Sequence, residues 1–275
     1  MSRCGAKPPA ALPGPHLLAG GVCALGQAEA PSARSLLPAA VAELQQEEES
    51  KLRFSLPIHH NSPFDNNKDN AKMEVLLGIT GKDFTLIAAS KAAMRGATIL
   101  KASDDKTRQL NKHTLMAFSG EAGDTVQFAE YIQANSQLYS MRNETDLSPS
   151  ALAHFVRGEL ASSLRSRKPY NVNLLLGGVD PITHKPSLYW LDYLASLAPV
   201  PYAAHGYAQY YCLSLLDKHH QPDISLERGL ELLRLCADEL KRRLPIDFKG
   251  LIVKVVTKDG IEEKPFDADE VVKGT

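Results

Sequence analysis

Cysteine is scarce in this sequence, and its four copies, Cys4, Cys23, Cys212 and Cys236, form neither a CxxC pair nor a Cys/His spacing that a metal could use. That excludes a disulfide scaffold and a zinc module, and reduced thiols are expected. No apolar run approaches the roughly 20 residues that a spanning helix needs, so no membrane span is expected. An excess of either charge is also missing: 31 Lys and Arg against 32 Asp and Glu leave a formal net charge of −1. Neither a nucleic-acid stripe nor a membrane-seeking face is implied. No glycine-rich loop could cradle a phosphate, so neither a cofactor nor a metal is expected.

What is present suits a globular fold. With 275 residues and 44% hydrophobic content, the chain can hold one large domain or two small ones. Residues 1–72 differ in kind from the rest, with eight of the seventeen prolines alongside Ala/Gly-rich and Glu-rich patches and no periodic apolar face. A segment that cannot bury enough apolar area to offset about 1–2 kcal/mol of backbone entropy per residue stays disordered. A targeting role for His16 to Leu25 is disfavoured by Pro13, Pro15 and the glycines. The expectation is a disordered extension over 1–72, an over-long start with Met73 as the functional beginning, and a domain over 73–275 that ends in a charged, mobile tail.

From Met73 onward the pattern is regular. Glu74 to Thr80 and Phe84 to Ala89 read as two strands around a Gly81-Lys82-Asp83 turn, and their near-continuous apolar content suits strands covered on both faces. Ala97 to Leu100 and Lys106 to Gln109 are short extended pieces, and Thr114 to Phe118 is another strand. Val126, Ala129, Ile132 and Tyr139 mark the buried face of a helix over about 123–142. Ser148-Pro149 opens a second helix, antiparallel to the first, with Leu152, Phe155, Val156, Leu160 and Leu164 buried. Asn171 to Gly177, Ser187 to Asp192 and Leu197 to Pro201 return to strand. Tyr207 to His219 and the run after Ser225 form another helix pair, the latter with Leu226, Leu230, Leu233, Ala237, Leu240 and Leu244 on one side until Pro245. Leu251 to Thr257 and Ile261 onward close the chain as a hairpin.

Several separated motifs carry a resemblance: the hairpin followed by Ala88-Ala-Ser-Lys91, Arg95-Gly96, Asp104-Asp-Lys-Thr-Arg108, His113 to Gly120, Gly123 to Ile132, Arg167 to Tyr170, Tyr202 to Gly206, and Asp247 to Gly250. From Met73 to about Asp267 the sequence resembles the β subunits of the 20S proteasome. Periodicity alone permits an ordinary two-layer α+β domain. The resemblance implies more, a four-layer αββα sandwich of the N-terminal-nucleophile hydrolase type. It also implies a place in ubiquitin-dependent protein degradation and residence in cytoplasm and nucleus. The partners it implies are the other α and β subunits: beta-3-type and beta-5-type ring neighbours, an α ring, and the opposite β ring.

In active members of that family the mature chain begins with a threonine whose hydroxyl attacks and whose free amine is the base. A carboxylate just after the second strand and a lysine about thirty residues on complete the set. Matching Lys106 to that lysine puts Glu74, or Met73 with a one-residue shift, where the threonine belongs. Ser90 falls at the aspartate and Tyr207 at the serine beside the nucleophile, so only Lys106 survives. Loss of a covalent nucleophile typically costs about 10⁴ to 10⁶ in turnover, so no catalytic residue is expected. Lys106 then becomes a structural cation for Asp104, Asp105 or Glu74. The alternative is an active hydrolase of the same fold processed at an unrecognised site.

Lesser candidates are weaker. Freeing the amine of Thr80 would destroy the first strand. Asn143-Glu-Thr145 matches a glycosylation acceptor by chance. His219-His220 reads as a helix end rather than a metal site, and Arg165 to Lys168 as a solvated or interfacial basic run.

Overall fold

A computed structural model of the chain describes residues 74–95, 98–244 and 248–266. The expectations for residues 1–72, for Met73 and for the tail after residue 266 lie outside the described residues. The predicted first hairpin is present as β1 (Val75–Thr80) and β2 (Thr85–Ser90), which pair antiparallel with Thr80 opposite Thr85. Its turn closes where the Gly81 N–H donates to the Phe84 carbonyl at 3.0 Å. Successive strand side chains point to opposite faces, so this one hairpin feeds two cores. Leu77, Ile79, Leu86 and Ala88 enter one, and Leu76, Ile87 and Ala89 enter the other.

The remaining elements follow in order as β3 (Ala93–Arg95), β4 (Thr98–Lys101), β5 (Thr107–Asn111), β6 (Thr114–Gly120), α1 (Asp124–Asn143), α2 (Pro149–Arg165), β7 (Val172–Val179), β8 (Pro186–Leu191), β9 (Leu197–Pro199), β10 (Tyr202–Gly206), α3 (Ala208–His219), α4 (Leu226–Arg243), β11 (Leu251–Thr257) and β12 (Gly260–Lys264). One antiparallel sheet runs β10-β1-β2-β11-β12 and the other β5-β6-β7-β8-β9, while β3 and β4 form a separate ribbon.

Three apolar layers fix the architecture. Leu76, Ile87 and Ala89 meet Leu115, Ala117 and Leu175 between the sheets. Cys212, Leu216, Leu233, Ala237 and Leu240 bring α3 and α4 onto the outside of the first sheet. Phe128, Ile132, Leu152, Val156 and Leu160 bring α1 and α2 onto the outside of the second. The order is helices, sheet, sheet, helices, so the fold is the four-layer α+β sandwich. Glycine permits the close approach of the sheets: a Cβ on Gly177 would lie 2.6 Å from Thr85 Cγ2, and one on Gly78 2.8 Å from Leu188 Cδ2.

The caps formed as expected. Ser148 Oγ accepts from the Ala151 N–H ahead of Pro149, and Ser225 Oγ from the Arg228 N–H. Four details differ from the sequence reading, the first being Leu164, expected in the buried stripe of α2 but exposed at the end of that helix. The strand β3 was not foreseen. The strand expected to reach Pro201 stops at Pro199, and after Pro201 the chain changes sheets to pair as β10 with β1. The buried face of α1 is also rotated: Thr125, Phe128, Ala129, Ile132 and Ser136 are inside, and Val126 and Tyr139 are exposed. Apolar residues stand all around α1, so their spacing does not select one face. Ser136 is taken inside by its bond to the Leu110 carbonyl at 3.2 Å.

Candidate functional site

One end of the sandwich gathers Glu74, Ser90 and Lys106. Glu74 immediately precedes β1, Ser90 ends β2 and Lys106 immediately precedes β5. Because β1 and β2 form one hairpin, its open end brings residues 74 and 90 together, and Ser90 Oγ accepts the Val75 N–H at 3.3 Å. Lys106 is only 2% exposed. Its ammonium donates to the Ser90 carbonyl at 3.0 Å and the Ala92 carbonyl at 2.8 Å, and stands 3.9 Å from Asp104 Oδ2. A buried cation needs such compensation.

Glu74 Oε2 accepts the Gly120 N–H at 3.3 Å. Burial pushes the Glu74 carboxyl up to about 7, against the opposing pull of Lys106 and the Gly120 N–H. Burial likewise lowers the Lys106 ammonium, opposed by Glu74 and Asp104. Asp105 is engaged elsewhere: its Oδ2 lies 2.6 Å from Lys254 Nζ, and Thr107 Oγ1 donates to its Oδ1 at 2.6 Å. Burial works against ionisation of Asp105, but these bonds prevail and hold its carboxyl below the usual range. Of the carboxylates considered for Lys106, Asp104 is therefore the one within ion-pair reach, Glu74 acts through space, and Asp105 serves Lys254. A cavity of about 430 Å³ opens beside these groups, lined by Glu74, Asp104, Lys106 and Gly120 with Met94, Phe118 and Val126.

Tyr207 does not join them. Its backbone follows Gly206, which pairs with Val75, but its ring packs on the α3–α4 side, 6.5 Å from the Tyr210 ring, and does not line the cavity. Gly120 was missed as a site residue. The available signal was a Ser-Gly pair closing an apolar strand before a helix, and the conformation confirms the need: φ is +147°, and a Cβ would fall 2.1 Å from the Asn171 carbonyl oxygen.

The lesser candidates serve structural contacts. Thr80 Oγ1 donates to the Pro201 carbonyl at 2.7 Å. His220 closes α3 through its own N–H on Leu216, and its Nε2 lies 3.0 Å from the Thr80 carbonyl. Asn143 Nδ2 donates to the Tyr139 carbonyl. Arg165, Arg167 and Lys168 are exposed. Cys212 and Cys236 are buried free thiols, and Cys4 and Cys23 lie outside the described residues. No described helix is long and apolar enough to cross a membrane.

The proteasome subunit family matches residues 73–256. A Neurospora crassa protein named probable proteasome subunit beta type-4 is 87% identical over 201 residues, 73% of this chain and 99% of that one. The Saccharomyces cerevisiae protein named proteasome subunit beta type-4 is 59% identical over 191 residues, 70% of this chain and 96% of its own. The Oryza sativa protein named proteasome subunit beta type-2 is 44% identical over 191 residues, 70% of this chain and 89% of its own. The four-layer fold, the family match and these identities together place the chain in the proteasome subunit family.

Proposed function

We propose that this chain is a non-catalytic β-type subunit of the 20S proteasome core, holding one position in each seven-membered β ring and walling the proteolytic chamber. The observation that carries this reading is the head of β1. Glu74 stands there, its carboxyl bonded to the Gly120 N–H, and Ser90, where the family resemblance expects an aspartate, has its hydroxyl taken by the Val75 N–H. Acyl transfer by this fold needs a hydroxyl or thiol activated by an adjacent base. Lys106, the retained basic group, is occupied by two carbonyls and Asp104. Its role is to neutralise and cross-link the end of the hairpin.

The reading extends to partners and place: beta-3-type and beta-5-type subunits beside it, an α ring above, the second β ring across the equator, in cytoplasm and nucleus, within ubiquitin-dependent degradation. Residues 1–72 are proposed to be dispensable, with Met73 the functional start.

The test is chemical. Particles purified through this subunit are treated with a threonine-directed covalent inhibitor, and the intact mass of each chain is measured. The neighbouring active subunits gain the inhibitor mass and this chain does not. Labelling of this chain, or a mature N-terminus at Thr, Ser or Cys, would instead establish an active hydrolase processed at an unrecognised bond.

A further inference from the structure

The layer between the two sheets is not uniform from edge to edge. On one side β8 and β10 contribute Leu188, Trp190 and Ala203, and in the middle β1, β2, β6 and β7 contribute Leu76, Ile87, Leu115 and Leu175. β5, the edge strand of the second sheet, gives this layer no apolar side chain among the described residues. Its buried leucine, Leu110, turns the other way, into the layer under α1 and α2. Polar contacts take over along that edge. Alternation on β11 sends Leu251, Val253 and Val255 toward α3 and α4 and leaves Lys254 on the inter-sheet side with Val256. Lys254 Nζ reaches across to Asp105 Oδ2 at 2.6 Å and to Thr107 Oγ1 at 2.7 Å, and the Thr107 hydroxyl donates in turn to Asp105 Oδ1 at 2.6 Å. Beyond the other end of β5, His113 Nε2–H donates to the Lys258 carbonyl at 3.0 Å, tying the β5–β6 turn to the β11–β12 turn. Each end of the edge therefore carries its own polar clasp between the sheets.

We infer that this edge is a hinged seam, along which β5 parts from the β11–β12 hairpin in one motion that releases both clasps while the β8 and β10 side stays shut. Water can replace each partner in the clasps, whereas parting the opposite side exposes apolar surface. A region joined by polar contacts and few apolar ones opens at lower free energy than the rest of the fold. With no apolar residue of β5 between the clasps to hold the middle of the strand, release of one end loosens the other. The device lets one edge of the sandwich yield to a neighbouring molecule at the cost of polar contacts alone. It follows from the packing of this chain and stands apart from the proposed subunit role.

The experiment is hydrogen exchange followed by mass spectrometry on the full chain as purified from cells, natural or Lys254→Met. The Thr107 N–H reports on one clasp, since it donates to Asp105 Oδ1 at 3.0 Å, and the His113 N–H on the other, since it donates to Asn111 Oδ1 at 2.9 Å. Lys254→Met keeps the aliphatic stem and removes the ammonium. Exchange is expected to rise about tenfold at Thr107, as for loss of a bond to a charged group, and at least about threefold at His113, at the other end of β5. Amides of residues 188–190 and 203–205 keep their natural rates. His113→Phe, which keeps a ring and loses the donor, raises exchange at Thr107 as well. Thr107→Val, which removes the hydroxyl shared by Lys254 and Asp105, takes the place of Lys254→Met if that chain does not fold, and is read at His113. An effect confined to Thr107 in Lys254→Met and to His113 in His113→Phe overturns the inference, because the two ends then fray separately. Equal acceleration at 188–190 and 203–205 overturns it too, because the whole fold has then loosened, and so does no change at either clasp.

Discussion

Gly120 shows how narrow the tolerance is at single positions. Its φ of +147° and the 2.1 Å approach of a Cβ to the Asn171 carbonyl leave no room for a side chain, and the obstacle is backbone rather than a movable rotamer. Gly120→Ala is therefore expected to destabilise the fold by roughly 3 kcal/mol, read as a lowered midpoint of thermal or urea unfolding. His205 supplies a second residue-scale prediction. It is 4% exposed in the layer between the sheets, stacked on Trp190 with ring centroids 5.2 Å apart, and its Nε2–H donates to the Leu174 carbonyl at 2.9 Å. Burial lowers its imidazolium from 6.5 to about 4, so below pH 6.5 the unfolded chain takes up a proton that the folded chain refuses, and stability falls with acid. Glu74 has the opposite sign: raised from 4.5 to about 7, it is protonated in the folded chain while still ionised in the unfolded one, so its contribution grows as pH falls from 7 toward 4.5. Between these limits the two nearly cancel. Glu74→Gln keeps the acceptor but removes the titration, and it should expose the histidine's slope. Unfolding midpoints measured from pH 6.5 to 4.5 should then fall by the equivalent of about 2 kcal/mol, while the natural chain changes little.

At the scale of elements, the strands and caps were legible because local chemistry decides them. Alternation and a turn glycine set β1 and β2, and serine caps with proline or charge behind them set α2 and α4. Ser225 Oγ on the Arg228 N–H is a cap of this kind, and Ser225→Ala should cost about 1 kcal/mol. What was not legible depended on long-range geometry. Nothing local tells that Pro201 ends a stay in one sheet and that Tyr202 starts pairing with Ile79 in the other. Nor can Glu74 be known to meet Gly120, 46 positions away, until both sheets are stacked. The face of α1 was misread for a more informative reason. Tyr131, Leu138 and Met141 are exposed, with Met141 at 77%, and with Ala134 they follow i, i+3, i+7, i+10 on the side turned away from the sheet. A helix that presents apolar residues outward as well as inward carries a surface for partners, and periodicity sums the two. Met141→Glu combined with Leu138→Glu should leave the circular dichroism of the chain unchanged, yet reduce its incorporation into the large particle, seen as a shift toward free subunit on size exclusion.

For the whole molecule, the consequence of three stacked apolar layers is that the fold is closed by residues between 74 and 266. The inter-sheet layer is completed by Val256 and Ile261, and the outer layer over the first sheet by Phe248 and Phe266. The family match begins at residue 73, and the relatives align over 191 to 201 residues, nearly their full length. Every element needed for the two sheets and four helices thus lies after Met73. A chain begun at Met73 should assemble into the high-mass particle in the same amount as the full 275 residues when the two are expressed side by side with distinct tags. The exposed apolar residues on α1, with Tyr210 at 66% on α3, form surface that other subunits of an assembly would cover. Size exclusion of native lysate should therefore find nearly all of this chain, in either form, in a particle many times its own 30.0 kDa, and only a trace at the mass of a monomer.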